Sequence, residues 1–103
     1  MSKRLLYLEK VTTDGTADSF AWYALGLEYA GLGRIDDALR TFAGLREKDA
    51  KYVPMYLMCG TMLAKAGRAD EARTWLTDGQ GVAKEAGDGK ALGELSEALG
   101  SLG

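Results

Sequence analysis

Residues 22–42 read Trp22-Tyr23-Ala24-Leu25-Gly26-Leu27-Glu28-Tyr29-Ala30-Gly31-Leu32-Gly33-Arg34-Ile35-Asp36-Asp37-Ala38-Leu39-Arg40-Thr41-Phe42. Bulky residues at Trp22, Leu25, Tyr29 and Phe42 alternate with small ones at Gly26 and Ala38, the order that two helices packed face to face require. Gly33 supplies the positive φ of a tight turn between them. The frame then recurs. Gly26, Gly33, Arg34 and Ala38 return as Gly60, Gly67, Arg68 and Ala72, a constant displacement of 34 positions.

Outward from this stretch, helical periodicity accounts for the whole chain and alternation for none of it. Leu5, Leu6, Leu8 and Val11 predict a short amphipathic helix from Ser2, a candidate N-cap, to about Val11; Thr12 to Thr16 is a polar turn. The next helix spans about 17–31, with Asp18 or Ser19 as cap and apolar residues on more than one side, so two of its faces are buried. Ile35 to Lys48 follows, with Asp36 and Asp37 in its first turn against the helix dipole and Asp36 spaced to pair with Arg40. Asp49 to Tyr52 is a loop, and Pro54 suits the first turn of a helix that stops at Gly67. A longer helix covers about 68–86. Ala86 to Gly89 is a turn, and Leu92, Leu95, Leu99 and Leu102 place a last apolar stripe on a helix over about 88–102. Gly44, Gly79, Gly81, Gly93 and Gly100 fall inside these helices, where each costs about 1 kcal/mol relative to Ala unless it permits close approach.

A period of 34 with this order of residues resembles the tetratricopeptide repeat. The first unit carries Trp22, Leu25, Gly26, Tyr29, Ala38 and Phe42 at the signature positions and departs at Leu45 and Ala50, where the family usually has Ala and Pro. The second carries Tyr56, Cys59, Gly60, Leu63, Ala72 and Leu76 there. Arg34 and Arg68 stand where many repeats open the second helix with an Asp cap, so the capping box is absent. The resemblance implies an all-α, right-handed αα-superhelical stack of about six helices in one domain: 1–16 an N-terminal helix and turn, 17–52 the first repeat, 53–86 the second, and 87–103 a C-terminal capping helix. It places Gly26 and Gly60 at the helix crossings beside Ala38 and Ala72, and the signature residue Trp22 in the core; Trp75, which matches no signature position, is expected partly exposed.

Composition narrows the function. The 103 residues carry 13 basic and 15 acidic side chains for a net charge of −2, with no basic tract, so nucleic acid is not an expected partner. One cysteine, Cys59, requires no oxidising compartment, no segment approaches the length of a membrane span, and a cytoplasmic protein is expected. With no histidine, no phosphate loop and no partnered nucleophile, no catalytic, metal or cofactor residue is expected, and the chain is not expected to be an enzyme. Cys59 is read as a core thiol, and Met55, Met58 and Met62 as a loose stripe with Met58 least easily placed inside.

What the resemblance does imply is a protein partner on the concave surface made by the first helix of each unit. The positions that face it are Tyr23, Ala24, Leu27 and Ala30, with Leu57, Met58, Thr61, Ala64 and Lys65 in the second unit. They are mainly apolar, with Tyr23, Leu27, Ala30, Leu57, Met58 and Thr61 as the binding face and Lys65 at its edge. The expected function is an adaptor that takes an apolar peptide or helix. The alternative is self-association as a homodimer, or a groove filled by Leu5, Leu6 and Leu8 of the chain's own first helix.

Overall fold

The computed structural model describes residues 2–102, which form six α-helices and no strand: α1 Lys3–Thr13, α2 Ser19–Gly31, α3 Ile35–Lys48, α4 Val53–Lys65, α5 Ala69–Glu85 and α6 Gly89–Gly100. The chain divides into two compact units, Met1–Asp49 with α1 to α3 and Ala50–Gly103 with α4 to α6. No described helix is long and apolar enough to cross a membrane.

Helix starts follow the local chemistry. The Ser2 hydroxyl accepts from Leu5 N–H, Asp18 from Ala21 N–H at 2.9 Å and Asp88 from Ala91 N–H at 3.0 Å, each satisfying a donor that the helix itself cannot. At α3 and α5 the capping residues are Arg34 and Arg68, and neither caps through its side chain. Instead Arg34 Nε donates to Asp37 at 2.8 Å and Arg68 Nε to Glu71 at 2.7 Å, which pins an acidic side chain in the first turn, where the helix dipole favours it. Arg40 also reaches Asp37, the neighbour of the Asp36 that its spacing suggested. The Arg34 and Arg40 guanidiniums hold the Asp37 carboxyl below its ordinary range.

Three helix ends close in one way. Gly33, Gly67 and Gly87 adopt φ of 75°, 80° and 70°, and the next residue's N–H turns back to the carbonyl of Tyr29, Leu63 and Ala83 at 2.9 Å each. The α5–α6 joint is therefore the same turn as those inside the two hairpins, with Asp88 in the position of the two arginines.

Within the first unit α2 packs on α3 and α1 on α2. A Cβ on Gly26 would lie 2.5 Å from the Phe42 ring, so the glycine is what lets the ring lie flat against the α2 backbone. In the second unit Gly60 stands to Leu76 in the same way, also at 2.5 Å. Ala38 and Ala72 are fully buried, and the atoms nearest to where a Cβ on each glycine would stand are those of Phe42 and Leu76. Gly79 is a third such place, its would-be Cβ 2.5 Å from Tyr56 Cβ and 3.0 Å from Leu95, and Gly44 faces the Trp22 ring at 3.3 Å. Gly81, Gly93 and Gly100 meet nothing.

The tryptophans exchange their expected places. Trp22 is half-buried, its ring against Gly44 with the Lys48 ammonium 5.2 Å from its centroid, whereas Trp75 is only 8% exposed and tilts onto the Tyr56 ring at 5.9 Å. Helix α1 buries Leu5 and Leu8 and leaves Leu6 exposed, so the first helix contributes two apolar anchors, not three. Each anchor contributes about 1.5–3 kcal/mol by leaving water. Helix α6 packs on α5 and α4; Leu95 is fully buried while Leu92, Leu99 and Leu102 are half-buried.

Candidate functional site

The outward positions of the first helix in each hairpin are built by the same register, so each unit can be read separately. On α2, Tyr23, Leu27 and Ala30 are half-buried, and Ala24, expected to face outward, is buried at 4% exposure. One residue further along the chain from Tyr23 is enough to turn the side chain by about 100° into the packed side. The Tyr23 ring leans on Phe42 at 6.4 Å, which fixes its orientation while its remaining surface stays accessible.

Phe20 is the residue that the sequence reading missed. It is 63% exposed and lies three residues before Tyr23 and seven before Leu27, so the three form one line along α2. The signal was available: the face was counted forward from the signature Trp22 and not back towards the helix start.

Helix α1 does not lie on that line. Its two polar links to α2 are Arg4 Nε to Glu28 at 3.1 Å and the Tyr29 hydroxyl donating to Glu9 at 2.5 Å. Glu28 and Tyr29 stand about 100° and 200° round the helix from Leu27. Burial, the hydrogen bond to Glu9 and the Glu9 charge together push the Tyr29 phenol up to about 12, with Arg34, 4.6 Å above the ring, opposing them.

On α4, Leu57 and Thr61 are half-buried, Met58 is 36% exposed and Lys65 is exposed, whereas Met55, Tyr56, Cys59, Met62 and Leu63 on the other side are buried. Met58 is thus the one methionine of the stripe turned outward. The Tyr56 hydroxyl donates to the Ala50 carbonyl at 2.6 Å, tying the loop before α4 to its first turn. Thr61, Ala64 and Lys65 line an open groove of about 440 Å³, completed by Ala69 and Leu76 of α5 and by Ala98, Ser101 and Leu102 at the end of α6. The last helix is therefore a wall of the groove as well as a cover for Leu95's surroundings. Its lining is aliphatic apart from the Thr61 and Ser101 hydroxyls and the ammonium of Lys65 at the rim, a surface suited to an apolar side chain with a carboxylate nearby.

Among the described residues no three or more of Cys, Asp and Glu converge as metal ligands would. Cys59 is fully buried on the packed side of α4.

No protein-family model and no curated protein matches the chain. Solved structures do. The crystal structure of a tetratricopeptide repeat domain protein from Salinibacter ruber is 34% identical, with a TM-score of 0.75, over 84% of this chain and 96% of that one. A solution structure of a tetratricopeptide repeat domain protein from the same organism gives 34% identity and a TM-score of 0.77 over 82% and 86%. A solution structure of a protein from Bordetella parapertussis gives 26% identity and a TM-score of 0.84 over 99% of this chain and 89% of that one.

Proposed function

Because the chain belongs to the tetratricopeptide repeat family, whose members serve in general as protein-interaction modules, we propose that it binds an apolar helix or peptide on the outward faces of its first-position helices, α2 and α4. The observation that carries the reading is the line Phe20, Tyr23 and Leu27 on α2, together with Leu57, Met58 and Thr61 on α4. Phe20 and Met58 are exposed, and the others keep part of their surface accessible beyond the packing of each hairpin. Apolar side chains left open to solvent mark binding surfaces.

A helix presenting apolar residues at i, i+3 or i+4, and i+7 matches the spacing of the α2 line. An acidic residue in the partner would meet Lys65 at the rim of the α4 groove, a contact at the surface that adds orientation more than affinity.

The test is selection from a displayed library of helical peptides, with the full chain as bait. The proposal expects enriched peptides to carry that apolar spacing, and Tyr23→Asp and Leu57→Asp baits to lose them while Lys84→Glu, on α5, retains them. Enrichment that survives both aspartate substitutions would place binding elsewhere on the molecule and overturn the reading.

A further inference from the structure

Two helices present outward stripes that no described residue covers, and the stripes are opposite in net charge. On α1, Lys3, Leu6, Tyr7 and Lys10 fall at i, i+3, i+4 and i+7 and all four are exposed, Leu6 at 52% and Tyr7 at 65%. On α6, Lys90, Gly93, Glu94 and Glu97 fall at the same spacing and are likewise all exposed. Helix α1 carries Lys3, Arg4 and Lys10 against Glu9, and α6 carries Glu94 and Glu97 against Lys90. The helices are also matched in length, with 11 and 12 residues.

We propose that these stripes join copies of this chain, the α1 face of one molecule docking on the α6 face of a second. Leu6 and Tyr7 are the only two large exposed apolar side chains adjacent in sequence among the described residues, and they sit between two lysines. On α6 nothing lies within 4 Å of where a Cβ on Gly93 would stand. The helix is thus low between Lys90 and Glu97 and can receive a ring such as that of Tyr7, whose apolar body and polar tip suit a surface of mixed polarity. The acids Glu94 and Glu97 lie beside that low point and offer carboxylates to Lys3 and Lys10.

Charge also bears on the mode of pairing. An isologous contact of α1 on α1 would set Lys3 and Lys10 against lysines, whereas α1 on α6 gives them Glu94 and Glu97 to meet. One helix on one helix covers less than a stable dimer buries, so the association is weak and transient. This surface is separate from the α2 and α4 faces proposed for peptide binding, and the two readings fail independently.

The experiment is sedimentation of the full chain from about 10 μM to about 1 mM, at low and at high salt, with circular dichroism confirming that each variant is helical; weak contacts of this class are populated only towards the upper end. The wild type is expected to rise above the monomer mass of 11.0 kDa with concentration, and to fall back on adding salt. Lys3→Glu with Lys10→Glu, and separately Glu94→Lys with Glu97→Lys, should each remain monomeric alone, because each makes its two faces alike in charge. Mixed in equal amounts they should associate again, since each variant then offers the other a complementary face. A wild type that stays at the monomer mass throughout, variants that associate alone as the wild type does, or a mixture that stays monomeric would each overturn the proposal.

Discussion

In the hairpin of α2 and α3 the glycine at the crossing faces an aromatic ring, Phe42, and the tryptophan on α2 is half-exposed; in the hairpin of α4 and α5 the glycine faces Leu76 and the tryptophan stands on α5, buried. Thirty-four positions separate each residue from its counterpart, yet the tryptophan stands on the first helix of one pair and on the second helix of the other. Trp75 answers to Thr41, which is buried too but spends its hydroxyl on the Asp37 carbonyl at 2.8 Å. Tyr56 answers to Trp22 and is drawn in by Gly79, for which the first hairpin has Leu45. What the repeat preserves is the close approach at Gly26 and Gly60. How the remaining volume is filled is free to differ, provided that the total fits.

The largest expected effect follows from this exchange. Trp75→Ala should cost about 3–5 kcal/mol in chemical denaturation, as a buried large-to-small change does, and Trp22→Ala markedly less because its ring already meets water. Equal losses would mean that the two hairpins are filled alike after all.

The glycines sharpen the comparison at the next level. Gly79→Ala forces a methyl to within 2.5 Å of the Tyr56 Cβ, which cannot swing aside, and should cost about 1–3 kcal/mol. Gly44→Ala places its methyl 3.3 Å from the edge of a half-exposed ring that can give, so the gain in helix propensity should offset the crowding. If both destabilise equally, the closeness of α4 and α5 at Gly79 is not specific.

Tyr29 distinguishes the first unit through pH. Its phenol titrates near 12 in the fold against an ordinary 10, so the folded state favours the protonated form. The stabilisation is complete below pH 10 and is lost as pH rises from 10 to 12. Tyr29→Phe should therefore melt earlier than the wild type at pH 8, and the gap should narrow through pH 10–12; a constant gap would show that burial and the contact with Glu9 do not raise the phenol's pKa.

The smallest effect has the opposite sign. Gly81→Ala, where a Cβ meets nothing, should stabilise by about 0.5–1 kcal/mol through helix propensity alone.

Much of the fold was legible because helix ends are written in local chemistry. Ile35 to Lys48 stands where its apolar spacing put it, and Gly33 and Gly67 turn where the 34-residue shift required. Periodicity tells which face of a helix is apolar but not which neighbour will meet it. That is why the contact of Gly26 with Phe42 was not foreseen, why Trp22 and Trp75 were assigned to each other's environments, and why Leu6 was expected under cover. Gly79 read as either a helix-weakening residue or a place of close approach, and only the contact with Tyr56 on another helix decides between them. On the proposed face, Tyr23, Leu27 and Leu57 are half-buried and Met58 is exposed; Ala24, counted as outward, is buried, and the exposed Phe20 was passed over.

The claim that the outward line of α4 serves binding and not folding is tested most directly by the denaturation midpoint of Leu57→Asp beside that of Leu63→Asp on the same helix. Leu63 is fully buried and Leu57 is half-exposed. The account predicts that Leu63→Asp leaves the chain unfolded or nearly so, because it puts an unpaired charge into the core, while Leu57→Asp keeps its helicity and loses no more than about 1 kcal/mol. Unfolding by both substitutions would contradict it and make Leu57 a packing residue.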